Sequence, residues 1–293
     1  MRTTLRFSSL DPVVRTTLNL PYCTVPDFYG GGAQALHMHV VYPVPDPAAP
    51  GYPVLLWICG GGWECCDPAN RLHDLSYFAE RGYIVCLAEY RVTGVAPFPA
   101  QIQDVKTALR FVRKHARAFR ADPDRIALMG DSAGGHLVTL AGLTPGKAEF
   151  TGAQWAGVSE AVQAVVNWYG VVDFAGMLAA YGAADASAMR PTDCLVKLFG
   201  AWPQSVPEQV DLATPLRYVS PEAPPFLILH GDRDATVPFA QSEALYEALE
   251  RAGVPCELCT VEGADHATAE FSQVGLLRHI ADWLDAALGK GRA

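Results

Sequence analysis

The stretch "RIALMGDSAGGHLVTLAGL", residues 125–143, decides the fold prediction, because a short apolar run leads directly into a helix-like run. Ser132 lies where the two meet, inside the pattern Gly-x-Ser-x-Gly that Gly130 and Gly134 complete. A glycine inside a helix costs roughly 0.5–1 kcal/mol relative to alanine, so these glycines need a physical reason. One interpretation is a tight turn without chemistry, and the other is a nucleophile on a strained turn. The position between strand and helix favours the nucleophile.

Further apolar runs extend this pattern along the chain. Six short runs rich in Val, Ile and Leu predict buried parallel strands, at residues 53–58, 83–88, 125–130, 164–169, 225–230 and 256–261. Segments 104–119 and 239–253 have the spacing of apolar residues that is typical of amphipathic helices. The alternation predicts an α/β fold, with a mostly parallel central sheet and helices on both faces. Residues 35–43 predict an additional edge strand.

Residues 175–222 interrupt the alternation. They are rich in Ala, Pro and Gly, have weak periodicity, and are too long for an ordinary loop inside a compact domain. We therefore predict a single domain over residues 1–293, with a small lid or cap insertion at about 175–222.

The composition is typical of a globular protein and argues against some partners. Of the 293 residues, 50% are hydrophobic and 18% charged, and the net charge of −9 disfavours nucleic acid or an anionic membrane as partner. The N-terminus lacks the apolar segment of a signal peptide, and no run approaches the roughly 18 apolar residues of a membrane helix. The sequence is compatible with a homo-oligomer.

Eight cysteines invite a disulfide or metal interpretation. Cys256 and Cys259 form C-x-x-C, but they lie in a strand-like run, and no second pair has zinc-site spacing. Cys65 and Cys66 are adjacent. We interpret the cysteines as buried free thiols, which suits a reducing cytoplasm as the location.

A serine hydroxyl becomes a good nucleophile only beside a general base. His266, in "GADHAT" after the last predicted strand, is the candidate, because ligand sites form at the carboxyl ends of parallel strands. The other seven histidines lie in predicted strands and helices or before a turn. The acid that orients the imidazole could be Asp232 or Asp234, both in "HGDRDATVP" at 230–238. Asp232 has a second interpretation as a brace of its own turn, and Asp265 is too close to His266 in sequence to face it.

A tetrahedral oxyanion needs backbone donors beside the nucleophile. The amide after Ser132 begins a helix, whose N-terminus carries partial positive charge. The stretch "ICGGGWE" at 58–64 ends a predicted strand, and its glycines allow backbone N–H groups to approach a substrate closely. The alternative is a flexible loop without a role in chemistry.

Several ordered motifs together resemble a known family: "CGGGW" at 59–63, "AEYR" at 88–91, "FPAQIQDVKTALRFVR" at 98–113, "DPDRIALMGDSAGGHL" at 122–137, "PPFLILHGDRDATVP" at 224–238 and "GADH" at 263–266. They span most of the chain from about residue 35 to 285. With them the sequence resembles the α/β-hydrolase carboxylesterases. Within these it is similar to the branch of hormone-sensitive-lipase-like enzymes, bacterial acetyl esterases, and feruloyl or acetylxylan esterases.

The resemblance implies a catalytic triad of Ser132, His266 and Asp234. It also implies that the backbone amides of Gly61, Gly62 and Ala133 form the oxyanion hole. One position departs from the family pattern, because Cys59 stands where the family usually has a histidine before the glycines. That histidine is thought to support the loop, so the substitution raises the question of what braces the loop here.

The expected function is hydrolysis of short-chain acyl esters, including acetylated or feruloylated carbohydrate, through an acyl-enzyme and without a metal or organic cofactor. The expected partner is a small-molecule ester. Trp63 is predicted to line the acyl or alcohol pocket, the alternative being a place in the core. Three other functions use this fold: an arylformamidase with the same triad, a serine peptidase with a large cap, and a non-catalytic ligand receptor. The chain is too short for the peptidase's cap, and such receptors tend to lack the histidine.

Overall fold

Eight strands form one sheet in the computed structural model of the chain, which describes residues 3–4, 6, 12–44, 51–152, 154–180 and 193–290. The strands are β1 (Val14–Pro26), β2 (Ala33–Pro43), β3 (Tyr52–Ile58), β4 (Ile84–Ala88), β5 (Ala121–Asp131), β6 (Ala164–Trp168), β7 (Phe226–Gly231) and β8 (Cys256–Val261). Their order across the sheet is β1-β2-β4-β3-β5-β6-β7-β8. From β4 to β8 every neighbouring pair is parallel, whereas β2 is antiparallel to both β1 and β4. The predicted α/β class with a mostly parallel sheet is confirmed.

The sheet edge beside β2 differs from the prediction. Residues 35–43 were expected to form the edge strand, but β1 pairs with the outer side of β2, for example Thr16 opposite Val41. The sequence gives little indication of β1, because most residues in its first half are exposed and include polar threonines rather than a continuous apolar run. Such a strand depends on its neighbour's backbone hydrogen bonds more than on its own buried side chains.

Nine α-helices are found among the described residues: α1 (Leu72–Glu80), α2 (Ala100–Lys114), α3 (Ala116–Phe119), α4 (Ala133–Leu143), α5 (Phe174–Ala180), α6 (Cys194–Phe199), α7 (Pro207–Ala213), α8 (Ala240–Arg251) and α9 (Val274–Ala287). Alternate residues of β3 point to opposite faces, so that Leu56 belongs to the core under α2, α4 and α8, and Leu55 to the core under α1 and α9. Covering both faces explains why the strands read as continuous apolar runs. None of the helices in the described ranges is long and apolar enough to cross a membrane.

The predicted insertion at 175–222 falls partly on residues 181–192, which lie outside the described residues. The described part contains the end of α5, followed by α6 and α7. Leu195 and Leu198 of α6 are buried in the same core cluster as α2 and α4. The division into one domain with a lid therefore stays a prediction.

All eight cysteines are free thiols, but the expectation that they are buried is correct only for Cys23, Cys59 and Cys86. Cys256 and Cys259 are partly accessible because β8 is the last strand of the sheet. The others that reach solvent lie in the loop after β3 or at the start of α6, namely Cys65, Cys66 and Cys194.

Candidate active site

Ser132 occupies the sharp turn between β5 and α4. Its backbone has φ 52° and ψ −119°, a conformation that costs energy for any residue with a side chain. The Ser132 N–H donates to the carbonyl of Trp168 on β6 at 2.9 Å, and the Ser132 carbonyl accepts from the His136 N–H at 3.0 Å. Neighbouring backbone therefore holds the strained turn in place.

The glycines around Ser132 are required by close backbone packing. A Cβ atom added at Gly134 would lie 2.0 Å from the carbonyl oxygen of Ile58 at the end of β3. A Cβ at Gly130 would lie 2.7 Å from that same oxygen and 2.7 Å from the backbone of Gly134. The pattern Gly-x-Ser-x-Gly thus allows α4 to begin directly against the end of the central strand.

His266 links Ser132 to Asp234. Its Nε2 lies 2.9 Å from Ser132 Oγ, and its Nδ1 lies 2.7 Å from Asp234 Oδ2. An ionised carboxylate only accepts hydrogen bonds, so Nδ1 carries the proton and Nε2 is the free acceptor. The Ser132 hydroxyl consequently donates to His266, which is the arrangement needed for removal of its proton.

Asp234 is fully enclosed and ionised. Its side chain is 0% exposed, and Oδ1 accepts the N–H groups of Thr236 at 2.8 Å and Val237 at 2.7 Å. Burial alone would raise the pKa of Asp234, but hydrogen bonds from His230, His266 and the Val237 amide outweigh it and hold the pKa well below its usual range. The charge that faces His266 is thereby kept at neutral pH.

The two other carboxylates of this region have different partners. Asp232 Oδ1 accepts the Gly263 N–H at 2.6 Å and so links its turn to the loop after β8, rather than bracing its own turn as the second interpretation had it. Asp265 Oδ1 accepts the N–H groups of His266 at 2.7 Å and Ala235 at 2.9 Å, which ties the two loops together. Of the two aspartates that the residues alone left open, the structure brings Asp234 to the imidazole.

The glycine loop after β3 lies directly beside Ser132. A Cβ added at Gly60 would lie 2.9 Å from Ser132 Cβ, and the Gly60 N–H donates to Asp131 Oδ1 at 2.6 Å. Gly61 and Gly62 have φ angles of 125° and 59°, which favour glycine. Ala133 is the first residue of α4, where backbone N–H groups have no partner within the helix. Ala133 thus directly follows Ser132, and Gly61 and Gly62 follow Gly60 in the loop beside it. The role of the three amides as oxyanion donors remains a prediction.

Trp63 lies behind this loop, in the core. It is 3% exposed, its ring lies 5.9 Å from that of Phe174, and its Nε1 donates to His136 Nδ1 at 3.2 Å. Burial lowers the pKa of His136 to about 4, so the imidazole is neutral, and its Nε2 donates to the Ala213 carbonyl at 2.9 Å. These contacts are those of a brace for the loop, and the predicted substrate contact of Trp63 stays a prediction.

His230 also belongs to the site, although the sequence alone places it only before a turn. His230 is 0% exposed, and its Nε2 lies 2.9 Å from the Val237 carbonyl and 3.2 Å from Asp234 Oδ2. Both neighbours are acceptors, so Nε2 carries the proton, and Nδ1 pairs with Ser242 Oγ at 2.6 Å. His230 thus helps to fix the Asp234 carboxylate. Its position four residues before Asp234 was the available indication.

Asp131 and Tyr169 were also missed. Burial raises the pKa of Asp131, whose Oδ2 lies 3.5 Å from the Tyr169 hydroxyl. The Tyr169 ring packs edge-on against the His266 ring, with centroids 4.7 Å apart. Asp131 and Tyr169 thus connect the glycine loop to the imidazole of His266. The sequence indicates Asp131 only through its position next to Ser132.

Among the residues that the structure describes, no group of three or more His, Cys, Asp or Glu side chains is arranged to hold a metal ion. What the site does offer is a hydroxyl paired with an imidazole nitrogen at 2.9 Å, beside a glycine loop. This arrangement suits nucleophilic attack by Ser132 on an acyl carbon with proton transfer to His266.

Comparison with known proteins identifies the relatives of the chain. The sequence profile of the BD-FAE family matches residues 41–249. The chain is 36% identical over 231 residues to the probable carboxylic ester hydrolase LipM of Mycobacterium tuberculosis, covering 76% of this chain and 51% of that protein. It is 34% identical to the esterase LipQ of the same organism, covering 77% and 52%. The chain spans about half the length of these relatives.

Solved structures of esterases have the same fold. A truncated carbohydrate esterase from gut microbiota superimposes with a TM-score of 0.79 at 26% identity, covering 94% of this chain and 97% of that one. A thermophilic esterase of Thermogutta terrifontis, solved with bound butyrate, gives a TM-score of 0.73 at 26% identity, with 97% of each chain covered.

Proposed function

The chain belongs to the BD-FAE family, and from that premise we propose that it is a serine carboxylic-ester hydrolase with Ser132, His266 and Asp234 as its catalytic triad. One observation carries this proposal: His266 lies within hydrogen-bond distance of both Ser132 and Asp234. The relatives with esterase names and structures support the reaction class.

The first half-reaction forms an acyl-enzyme. Ser132 Oγ attacks the ester carbonyl carbon while its proton passes to His266 Nε2. Asp234, whose carboxylate faces Nδ1, stabilises the imidazolium that forms. Backbone amides of Gly61, Gly62 and Ala133 stabilise the negative charge on the carbonyl oxygen. The first half-reaction is complete when His266 protonates the leaving alcohol and the tetrahedral intermediate collapses, which leaves the acyl group on Ser132.

The second half-reaction releases the acid. A water molecule then gives a proton to His266 and attacks the acyl carbon. The same backbone amides stabilise the oxyanion of this second tetrahedral intermediate. Return of the proton to Ser132 regenerates the hydroxyl and frees the carboxylic acid.

We propose that the substrates carry short acyl groups, among them acetylated or feruloylated carbohydrates. The named relatives support this class, because one binds butyrate and another is a carbohydrate esterase. The helix α6 borders the glycine loop: a Cβ added at Gly62 would lie 3.6 Å from Cys194 Cβ, and Lys197 pairs with Glu64. We infer that a helix on this side of the loop limits the room for a long acyl chain.

The proposal is tested with a series of p-nitrophenyl esters from acetate to decanoate, beside acetylated xylan and methyl ferulate. We expect kcat/KM to be highest for the short acyl groups. The Ser132→Ala variant should lose at least about 10⁴-fold in kcat on every substrate, whereas the surface variant Ser205→Ala serves as a matched serine control and keeps full activity. Near-normal turnover by Ser132→Ala would refute the mechanism. N-formylkynurenine as an additional substrate tests the arylformamidase alternative, which faster cleavage of that amide would favour.

A further inference from the structure

Two free thiols meet at the base of the glycine loop. Cys59 Sγ lies 3.2 Å from Cys66 Sγ. Cys59 is 0% exposed at the end of β3, whereas Cys66 is partly accessible to solvent. The segment between them contains Gly61 and Gly62, so this pair, Cys59 and Cys66, closes the loop that carries the predicted oxyanion amides.

The backbone of the loop brings these two sulfurs together. The Gly61 carbonyl accepts the N–H groups of Glu64 at 3.0 Å and Cys65 at 3.1 Å, which turns the chain back toward β3. The Cys65 thiol takes another direction, because its Sγ lies 3.5 Å from the Gly61 carbonyl oxygen. The neighbouring Cys65 is therefore a natural internal control for Cys66.

We propose that Cys59 and Cys66 form a redox modification site, in which a hydroperoxide converts the two thiols to a reversible disulfide. The Cys66 thiol reacts first, giving sulfenic acid and releasing water from hydrogen peroxide. The Cys59 sulfur then attacks the Cys66 sulfur and displaces hydroxide. The hydroxide takes up the Cys59 proton and leaves as water. Two thiols and one peroxide thus give one disulfide and two waters, with two electrons passing to the peroxide.

The surroundings of the two sulfurs assign these separate roles. A peroxide must reach its target sulfur, and Cys66 is the accessible one. The hydrogen bond with Cys66 and burial raise the pKa of the Cys59 thiol, which disfavours Cys59 as the thiol that reacts first. Cys59 is thus the resolving thiol, already in contact with its target.

Disulfide formation changes the loop beside the nucleophile. The bond is about 2.0 Å long, so it draws together two sulfurs that stand 3.2 Å apart when reduced. Cys59 is bonded to Gly60, whose N–H contacts Asp131, and the displacement passes to Gly61 and Gly62. Oxyanion donors act only within a narrow range of distances, so oxidation lowers turnover. This last step rests on the proposed function, whereas formation of the disulfide does not.

The test treats the full chain with hydrogen peroxide and then cleaves it with a protease specific for glutamate. Cleavage after Glu64 separates Cys59 from Cys66, so a disulfide appears by mass spectrometry as two linked peptides that dithiothreitol releases. We expect the link in the wild type and in Cys65→Ser, and its absence in Cys66→Ser and Cys59→Ala. Ester turnover should fall about tenfold or more on oxidation, recover with dithiothreitol, and be insensitive to peroxide in Cys66→Ser.

Each outcome decides a separate part of the proposal. Absence of the link in the oxidised wild type, or its loss in Cys65→Ser, overturns the modification site. A complete disulfide with unchanged kcat and KM overturns its effect on the loop. If the reduced wild type hydrolyses none of the esters while the disulfide still forms, the proposed function fails and the modification site stands.

Discussion

Replacing Asp234 by asparagine should disable the site while leaving its shape intact. The Oδ1 atom of Asp234 faces two donors, the N–H groups of Thr236 and Val237, at 2.8 and 2.7 Å. The asparagine keeps its carbonyl oxygen on that side and turns its NH₂ group toward His266. The His230 Nε2–H then loses Asp234 Oδ2 as an acceptor at 3.2 Å but keeps the Val237 carbonyl at 2.9 Å. An NH₂ group donates, so His266 Nδ1 becomes the acceptor and Nε2 carries the proton. In that tautomer the imidazole cannot take the proton of Ser132.

The size of the effect follows from the loss of the base and of the charge behind it. In serine hydrolases with this triad, the same change lowers kcat about 10⁴-fold, which corresponds to about 5.4 kcal/mol at 1.36 kcal/mol per tenfold. We expect a similar fall for Asp234→Asn. KM should change little, because Asp234 is 0% exposed and has no surface to offer a substrate.

The matched control is Asp232→Asn, in the same turn. Asp232 accepts a hydrogen bond from the Gly263 N–H, whereas the imidazole of His266 pairs with Asp234, so the Asp232 variant should keep kcat within a few-fold of the wild type. The assay is hydrolysis of p-nitrophenyl acetate, with circular dichroism to show that both variants fold. The reasoning is refuted if folded Asp234→Asn stays within tenfold of the wild type, or if Asp232→Asn loses as much.

Three further predictions concern packing and pH. Gly134→Ala should lower the free energy of unfolding by roughly 1–3 kcal/mol or more, because the new methyl meets a carbonyl oxygen at 2.0 Å. In chemical denaturation Gly275→Ala, at a site with nothing within 4 Å, should be no less stable than the wild type. Trp63→Phe should cost roughly 1–3 kcal/mol of stability by leaving buried His136 Nδ1 without its donor, and a tenfold rise in KM would instead support substrate contact. The carboxylate of Asp234 has a lower pKa in the folded than in the unfolded chain, where it is about 3.9. It therefore stabilises the fold at pH values above about 3.9, and this contribution is lost as the pH falls towards the folded-state pKa. Acid titration should consequently destabilise the wild type more steeply than Asp234→Asn, and equal slopes would contradict this.

The fold could be predicted wherever buried side chains decide the conformation. Strands β3 to β8 lie within a few residues of the apolar runs that indicate them. Both faces of β3 to β7 are covered, which explains their apolar runs, whereas β8 at the sheet edge is only partly buried. β1 could not be found in this way. Its exposed first half is held by backbone pairing with β2. Backbone pairing does not require apolar side chains, so the composition of the strand does not reveal it. For the same reason β2 was expected at the edge.

The candidate site was predictable where a local pattern carries it. Ser132 is identified by a turn that needs glycine at both flanks, and His266 by its place after the last strand. The two aspartates of one turn could not be separated by position alone. What distinguishes them is the hydrogen bonding of the folded turn. Thr236 and Val237 fix one oxygen of Asp234, and the other oxygen faces the imidazoles of His266 and His230.

The absence of a histidine at position 59 can be understood from contacts that the sequence does not reveal. The glycine loop is held at both ends by groups distant in the chain. The Tyr90 hydroxyl donates to the Cys59 carbonyl at 3.1 Å, and Asp131 accepts the Gly60 N–H at 2.6 Å. At the far end, the Trp63 indole is bonded to a neutral, buried His136. Because these braces act on the backbone and on Trp63, the side chain at position 59 is free of a supporting role. A thiol can then occupy it, and its side-chain neighbour at hydrogen-bond distance is the sulfur of Cys66, at 3.2 Å.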